Sequence, residues 1–499
     1  MPYTVPHYIA GKAVIASSTQ NHIIYNPALG EAIGQVDFAS TTICDSAIAA
    51  AKKSGLIWSQ TSSLKRAHIL FRFRDLLEKN QLDLARMVTR EHGKTLDDAK
   101  GSVARGIEAV EFYCGLVAQL EGRMSVNVSK NMDCYTLRQP LGICAGVSPF
   151  NFPVMVPIWM MIPAIACGNT FILKPSEQDP SAPVRLMELL SDAGLPDGVV
   201  NCLHGDKTTV EYLLKHPDIA TFTAVASTPV AKFIYTTATA QGKRAHTFGG
   251  AKNHAVVMPD ADLDQAANAV VGAAFGAAGE RCMALSVVVA VGEQTAINLL
   301  AKLRPLIQRI KIDAGDVAGC DMGPLVSSAH RQRVLEAIDI GVKEGADLLI
   351  DGRGFKHPNY PQGYFLGPSL FDNVTESMSI YQQEIFGPVL VILRVADFEQ
   401  ALALVNRHQY GNGTAIFTRD GYSAREYTQR VQAGMVGINV PIPVPIANHP
   451  FGGWKSSVFG DTNMHGSASF HFYTKLKTVT SSWPETDFSE HGFNMPTHK

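Results

Sequence analysis

The chain has no Gly-x-Gly-x-x-Gly following an apolar run and no Gly-x-x-x-x-Gly-Lys-Ser/Thr. The first absence argues against the usual dinucleotide fingerprint and the second against a P-loop nucleotidase. It also lacks any Cys-x-x-Cys pair. Its eight cysteines (Cys44, Cys114, Cys134, Cys144, Cys167, Cys202, Cys282 and Cys320) are scattered along 499 residues. Neither a zinc site nor a disulfide framework is indicated, no metal is expected, and reduced thiols fit a cytoplasmic protein. A net charge of -2 leaves no basic excess for nucleic acid. The first residues, Met1-Pro2-Tyr3-Thr4-Val5-Pro6-His7, have neither a basic n-region nor an apolar h-region, so no signal peptide is expected. Internal repeats and low-complexity segments are missing too.

What the chain has is apolar residues, 46% of the total, in a length that calls for two large domains and an appendage. From Gln139 to Leu173 there is no charged residue, long enough to span a bilayer. Pro140, Pro149, Pro153, Pro157 and Pro163 cut it into short pieces, so it reads as strand, loop, buried helix and strand, with no membrane partner. Strands are expected at Gly142–Val147, Thr170–Leu173, Gly198–Leu203 and Ile219–Val225. Helices are expected at Val154–Cys167, Ala182–Ala193, Thr208–Lys215 and Pro229–Ala238. This alternation implies a doubly wound parallel sheet with ligands at its carboxyl edge. Thr41 to Leu120 reads as mainly helical, and a second α/β block runs from about Ala255 to Val444. Ser125–Arg138 and Phe470–Leu476 both alternate like exposed strands. Open edges of that kind are a liability in a monomer and point to a homo-oligomer, dimer or tetramer.

The chemistry concentrates in five segments that occur in order. They are Pro149-Phe150-Asn151-Phe152-Pro153, Lys174-Pro175-Ser176-Glu177, Gly249-Gly250-Ala251-Lys252-Asn253-His254, Gly279-Glu280-Arg281-Cys282-Met283-Ala284-Leu285-Ser286 and Glu384-Ile385-Phe386-Gly387-Pro388. Together they resemble the NAD(P)-dependent aldehyde dehydrogenase superfamily across essentially the whole chain. Gly279–Ala284, Gly250–His254 and Gly434-Met435-Val436-Gly437-Ile438-Asn439-Val440-Pro441 are similar to its CoA-acylating, methylmalonate-semialdehyde-oxidising branch. The resemblance implies an α/β fold of two doubly wound domains plus a β-ribbon oligomerisation arm. Its parts would be an NAD-binding domain (1–122 and 140–248), a catalytic domain (249–445), the arm (123–139 and 446–482) and a C-terminal tail (483–499).

In that family pattern Cys282 is the nucleophile, with Arg281 beside it to favour the thiolate, and Asn151 is an oxyanion donor alongside the Cys282 N–H. Lys174 and Glu177 would meet the adenosine ribose, and the Glu177 carboxylate favours NAD by repelling a 2′-phosphate. Phe150 belongs to the same cofactor set. Glu384 and Phe386 would hold the nicotinamide end, and Ser227 would cap the helix beside the pyrophosphate. Ala226 stands where the family usually has glycine, which crowds the diphosphate.

Hydrolytic relatives carry a glutamate four residues before the lysine of the glycine run. Here that place is Phe248, which cannot activate water. A CoA thiol needs no such base, so coenzyme A is expected as co-substrate. Glu280, two residues before Cys282, is the alternative base for a hydrolytic enzyme, and a non-catalytic binding protein of the same fold is a further alternative. Arg105 and Arg281 would meet the carboxylate of a small semialdehyde. Malonate and methylmalonate semialdehydes both fit, giving acetyl-CoA and propionyl-CoA after decarboxylation.

Overall fold

The computed structural model describes residues 3–15, 20–129 and 131–483. Its first large sheet has eight strands. Five run parallel, in the order Arg244–Phe248, Ile219–Val225, Ile143–Val147, Thr170–Lys174 and Val200–Cys202. Successive residues of a strand face opposite sides, and both sides are buried. Ile143, Ala145 and Val147 face one apolar layer, shared with helices Thr41–Trp58 and Lys207–Lys215. Cys144, Phe171 and Leu173 face the other, filled by Met155–Ala166 and Ser181–Asp192.

Every residue of Met155–Ala166 is buried. The uncharged stretch from Gln139 is therefore a core helix between two core strands, and each large side chain it buries is worth roughly 1.5–3 kcal/mol. No helix among the described residues is long and apolar enough to cross a membrane.

The second large sheet has seven strands, in the order Asp347–Ile350, Ser369–Asp372, Val389–Val395, Leu285–Val291, Asn253–Val257, Gly413–Phe417 and Met435–Ile438. All neighbours pair in parallel except the first two. Helices Thr41–Trp58, Ser63–Lys79, Gln81–His92 and Leu96–Cys114 supply the helical region expected before the first sheet.

The arm differs from expectation in three ways. Ser125–Arg138 is two strands, Met124–Ser129 and Met132–Pro140, folded as a hairpin. Phe470–Leu476 is not one strand. Ser467–Phe472 is a short helix whose Phe470 and Phe472 are buried in the first core, and the strand begins at Thr474 and runs to Ser482. The alternating aromatics report two inward-facing rings, not a pleat. Nor does 446–482 belong wholly to the arm. Val458–Phe459 pairs with Arg244–Phe248 at the edge of the first sheet, and Trp454–Lys455 pairs with Tyr410–Gly411. The tail expected over 483–499 lies outside the described residues except for Trp483.

Candidate active site

In the first sheet the chain steps one way from Ile143–Val147 to Thr170–Lys174, and the other way to Ile219–Val225. The reversal leaves a crevice beyond Val147 and Val225, where open α/β sheets place ligands. A cavity of about 660 Å³ opens there. It is lined by Phe150, Asn151, Lys174, Glu177, Ser227, Cys282, Glu384 and Phe386. The eight catalytic and cofactor candidates thus share one cleft; the two arginines are not among its lining residues.

The first wall consists of residues that follow strands. Lys174 Nζ donates to Glu177 Oε2 at 2.9 Å. Burial raises the Glu177 carboxyl, but Lys174 outweighs it and the net shift is downward, so this group is anionic near neutrality. The Ser148 hydroxyl lines the cavity, buried and without a hydrogen-bond partner among the described residues. Ser227 occupies the N-cap position of helix Thr228–Ala240, but its side chain makes no cap hydrogen bond. The expected cap hydrogen bond is absent, and Ser227 lines the cavity wall. Ala226 also lines the cavity, where its methyl stands.

The second wall consists of residues that precede strands. The segment before Cys282 bends through Ala277 and Ala278, both left-handed at φ 51° and 52°. Such backbone costs about 1–2 kcal/mol per residue without glycine, so the surroundings must hold it. Two amides do part of that. Asn253 Nδ2 donates to the carbonyls of Cys282 and Ala284, both at 2.9 Å, and Asn412 Nδ2 donates to the Cys282 carbonyl at 3.1 Å. Gly279 has φ 75°, and a Cβ there would lie 2.2 Å from the Gly387 carbonyl, so the nucleophile loop rests directly on the Glu384–Pro388 loop.

Glu384 Oε1 accepts from the Ala251 N–H at 2.9 Å. A Cβ on Gly250 would meet Glu384 Oε2 at 2.4 Å, which is why the carboxylate can lie across the glycine run. Burial pushes Glu384 up to about 7 and Lys252 down to about 7. Lys252 donates to the Ile380 and Gln383 carbonyls at 2.8 and 2.9 Å, anchoring the segment that presents Glu384. Phe386 adopts φ 61°, and its carbonyl accepts from His330 Nε2 at 2.7 Å.

Several side chains sit differently from expectation. Burial, then Glu384, push the Cys282 thiol up to about 12, so it is neutral at rest. Arg281 does not create a thiolate, because its guanidinium is turned to Asp98. Arg105 Nη1 donates to Glu108 at 2.6 Å, and its other arm reaches the Val444 and Pro445 carbonyls. Asn151 is buried as an oxyanion donor requires, and its Nδ2 donates to the Glu280 carbonyl at 3.0 Å. The Glu280 side chain is fully buried, accepting from the Val326 N–H at 3.1 Å, and burial raises its carboxyl well above the usual range.

Sequence reasoning missed Lys94, which is fully buried and donates to the Asn151 carbonyl at 2.6 Å. It also missed His330, Arg333 and Ile340, which line the cavity from helix Ser328–Lys343. Nothing in that helix's amphipathic pattern distinguishes a cleft from a surface.

The cavity lies between two mainly parallel sheets, with a cysteine and a buried asparagine amide on its wall. The chain belongs to the aldehyde dehydrogenase family, which it matches over residues 14–479. It is 51% identical to the malonate-semialdehyde dehydrogenase of Pseudomonas aeruginosa, over 97% of each chain. It is 46% identical to the human mitochondrial methylmalonate-semialdehyde/malonate-semialdehyde dehydrogenase, named as acylating, over 99% of this chain and 92% of the human one. Among solved structures it superposes with a TM-score of 0.97 on a Sinorhizobium meliloti protein described as a methylmalonate-semialdehyde dehydrogenase complexed with NAD. That protein is 51% identical, with 97% and 99% of the two chains covered. The methylmalonate-semialdehyde dehydrogenase of Oceanimonas doudoroffii gives a TM-score of 0.96 at 48% identity, over 97% of this chain and 99% of that one.

Proposed function

We propose that the chain is an NAD-dependent, CoA-acylating dehydrogenase of malonate and methylmalonate semialdehydes. The observation that carries the acyl acceptor is Phe248. Its ring is buried against His246 and Phe451, in the place where hydrolytic relatives carry the water-activating glutamate. Glu280, the nearer base of the hydrolytic alternative, is fully buried with one carboxyl oxygen accepting from the Val326 N–H and lying 3.5 Å from His330 Nε2, a placement that favours a structural role over water activation.

The cavity fits the dinucleotide. Glu177 is anionic and able to accept ribose hydroxyls, the buried Ser148 hydroxyl has no other partner among the described residues, and the helix Thr228–Ala240 points its N-terminus at the crevice. When bound, NAD supplies the hydride acceptor that turns the aldehyde adduct on Cys282 into a thioester. Cys282 Sγ bonds the aldehyde carbon as its proton passes to solvent in the open cleft, and the developing oxyanion takes the second N–H of the Asn151 amide. A CoA thiolate then attacks the thioester carbonyl and Cys282 leaves as thiolate. The released 3-oxo acid thioester loses carbon dioxide, giving acetyl-CoA or propionyl-CoA.

Arg281 and Arg105 would meet the substrate carboxylate with the N–H groups their acidic neighbours leave free. Eight free thiols fit a reducing compartment. Met132–Pro140 pairs with Met124–Ser129 on one side and Thr474–Ser482 on the other, and exposed Met124, Val126 and Leu476 on these outer strands favour pairing between copies, as dimer or tetramer.

The test is product analysis with methylmalonate semialdehyde, NAD and CoA. Propionyl-CoA and NADH in equal amounts are expected. Free acid formed at the same rate without CoA overturns the acyl-acceptor assignment, and equal turnover of propanal overturns the role of the arginines.

A further inference from the structure

Behind the nucleophile, five residues from three separate segments of the chain form a closed ring. Arg281 Nη2 donates to Asp98 Oδ1. Asp98 Oδ2 lies 3.3 Å from Lys94 Nζ, which donates to the Asn151 carbonyl at 2.6 Å. The Asn151 amide in turn donates to the Glu280 carbonyl at 3.0 Å, and Glu280 is joined to Arg281 by a peptide bond. The ring therefore passes through the oxyanion donor, through the residue next to the nucleophile, and through one carboxylate between two cations.

Lys94, Asn151 and Glu280 are buried and Asp98 and Arg281 partly so, at a cost that packing alone does not require. Lys94 is fully buried, and an ammonium there keeps its charge only with a counterion. Asp98 is that counterion. It sits in the first turn of helix Leu96–Cys114, whose N-cap Thr95 accepts the Asp98 N–H at 3.2 Å, a position where the helix dipole also favours negative charge. Burial alone would raise the Asp98 carboxyl, but Lys94 and Arg281 outweigh it and hold it at about 2. Asp98 engages one of the five guanidinium N–H groups and fixes the plane of the rest. Arg105 lies seven residues further along the same helix, about two turns, so the helix presents both to one side.

We propose that Asp98 is a positioning residue that sets both ends of the bound semialdehyde. It orients Arg281 for the substrate carboxylate, and through Lys94 it fixes the peptide from which the Asn151 oxyanion donor projects. The Arg281 half rests on the carboxylate-bearing substrate proposed above. The Asn151 half does not, because any aldehyde needs its oxyanion held.

The experiment follows the NADH burst of the first turnover, with methylmalonate semialdehyde and with propanal, in Asp98→Asn, Lys94→Met and the double variant. Asp98→Asn is expected to slow the burst about tenfold with both aldehydes, and to raise KM about tenfold for the acid-bearing one alone. Lys94→Met is expected to slow the burst with both and leave the ratio of the two KM values unchanged. The double variant should be no slower than the slower single one, because both changes break the same link.

A burst within about twofold of the parent in Asp98→Asn, or strictly additive losses in the double variant, overturns the proposal. If Asp98→Asn does not fold, Asp98→Glu takes its place. Moving the carboxylate by one methylene should shift the KM ratio, and parental values for both aldehydes overturn the proposal. A parent enzyme that takes propanal equally well removes the carboxylate reading while the propanal burst still tests the Asn151 half.

Discussion

The two walls of the cleft are built from opposite ends of two parallel sheets. On the first wall, Ser148–Asn151, Ser176–Glu177 and Ala226–Ser227 each come just after a strand, at the carboxyl edge. On the second, Gly250–Lys252, Cys282 and Glu384–Phe386 each come before one. The first wall offers what any switch point offers, helix N-termini and open hydroxyls for a phosphorylated ligand. The second has no such geometry to rely on. Its loops are held by side-chain amides, a buried lysine and left-handed backbone, so each reacting atom there is fixed by specific bonds and not by the sheet. Binding of the adenosine end should accordingly follow the first wall and the reactivity of Cys282 the second, while the first wall also lends Asn151 to the chemistry and the second lends Glu384 and Phe386 to the cofactor.

Cys282→Ala, on the second wall, should lower NADH formation by about 10⁴-fold or more while NAD binding measured by fluorescence stays near the parental value. Asn253→Ala removes two bonds to the carbonyls flanking the nucleophile and the acceptor for the Gly413 N–H. It should cost about 2–3 kcal/mol in denaturant unfolding and slow the first-turnover burst.

On the first wall, Glu177→Ala should raise the KM for NAD about tenfold and leave the alkylation rate of Cys282 in the free enzyme unchanged. If alkylation slows as well, the two walls do not act separately. Glu384→Gln sharpens the contrast from the other side. Above pH 7 the carboxylate is charged and disfavours the thiolate, so a neutral amide should lower the thiol's pKa from about 12. Iodoacetamide labelling at pH 9 should then run about fivefold faster. The smallest effect is expected from Ala226→Gly, which relieves the methyl at the crevice and should lower the KM for NAD about threefold.

Four strands of the first sheet were legible because they are short, mostly apolar and buried on both faces, whereas Arg244–Phe248, with its Arg, His and Thr, was not. Ile219–Val225 falls where it was expected to the residue. The side-chain contacts were less so. Asp98 lies far from Arg281 in sequence, and nothing local links Glu91-His92-Gly93-Lys94 to Asn151. Periodicity failed at Phe470–Leu476, where aromatic alternation is shared by a strand and by a short helix that docks two rings. The cavity face of helix Ser328–Lys343 was also hidden, since His330 and Arg333 fit an ordinary solvated surface as well as a cleft.

The short pairings of Val458–Phe459 with Arg244–Phe248, and of Trp454–Lys455 with Tyr410–Gly411, bear on how the protein is made. The first sheet is otherwise complete once the chain has been synthesised to about Phe248, yet its outer edge stays open until residues near 459 emerge from the ribosome. Between those two points the growing chain therefore carries an unpaired strand edge beside an unfinished second sheet, a species prone to capture by other chains. The segment that later pairs with the first sheet and with Tyr410–Gly411 is also the one whose arrival ends that exposure.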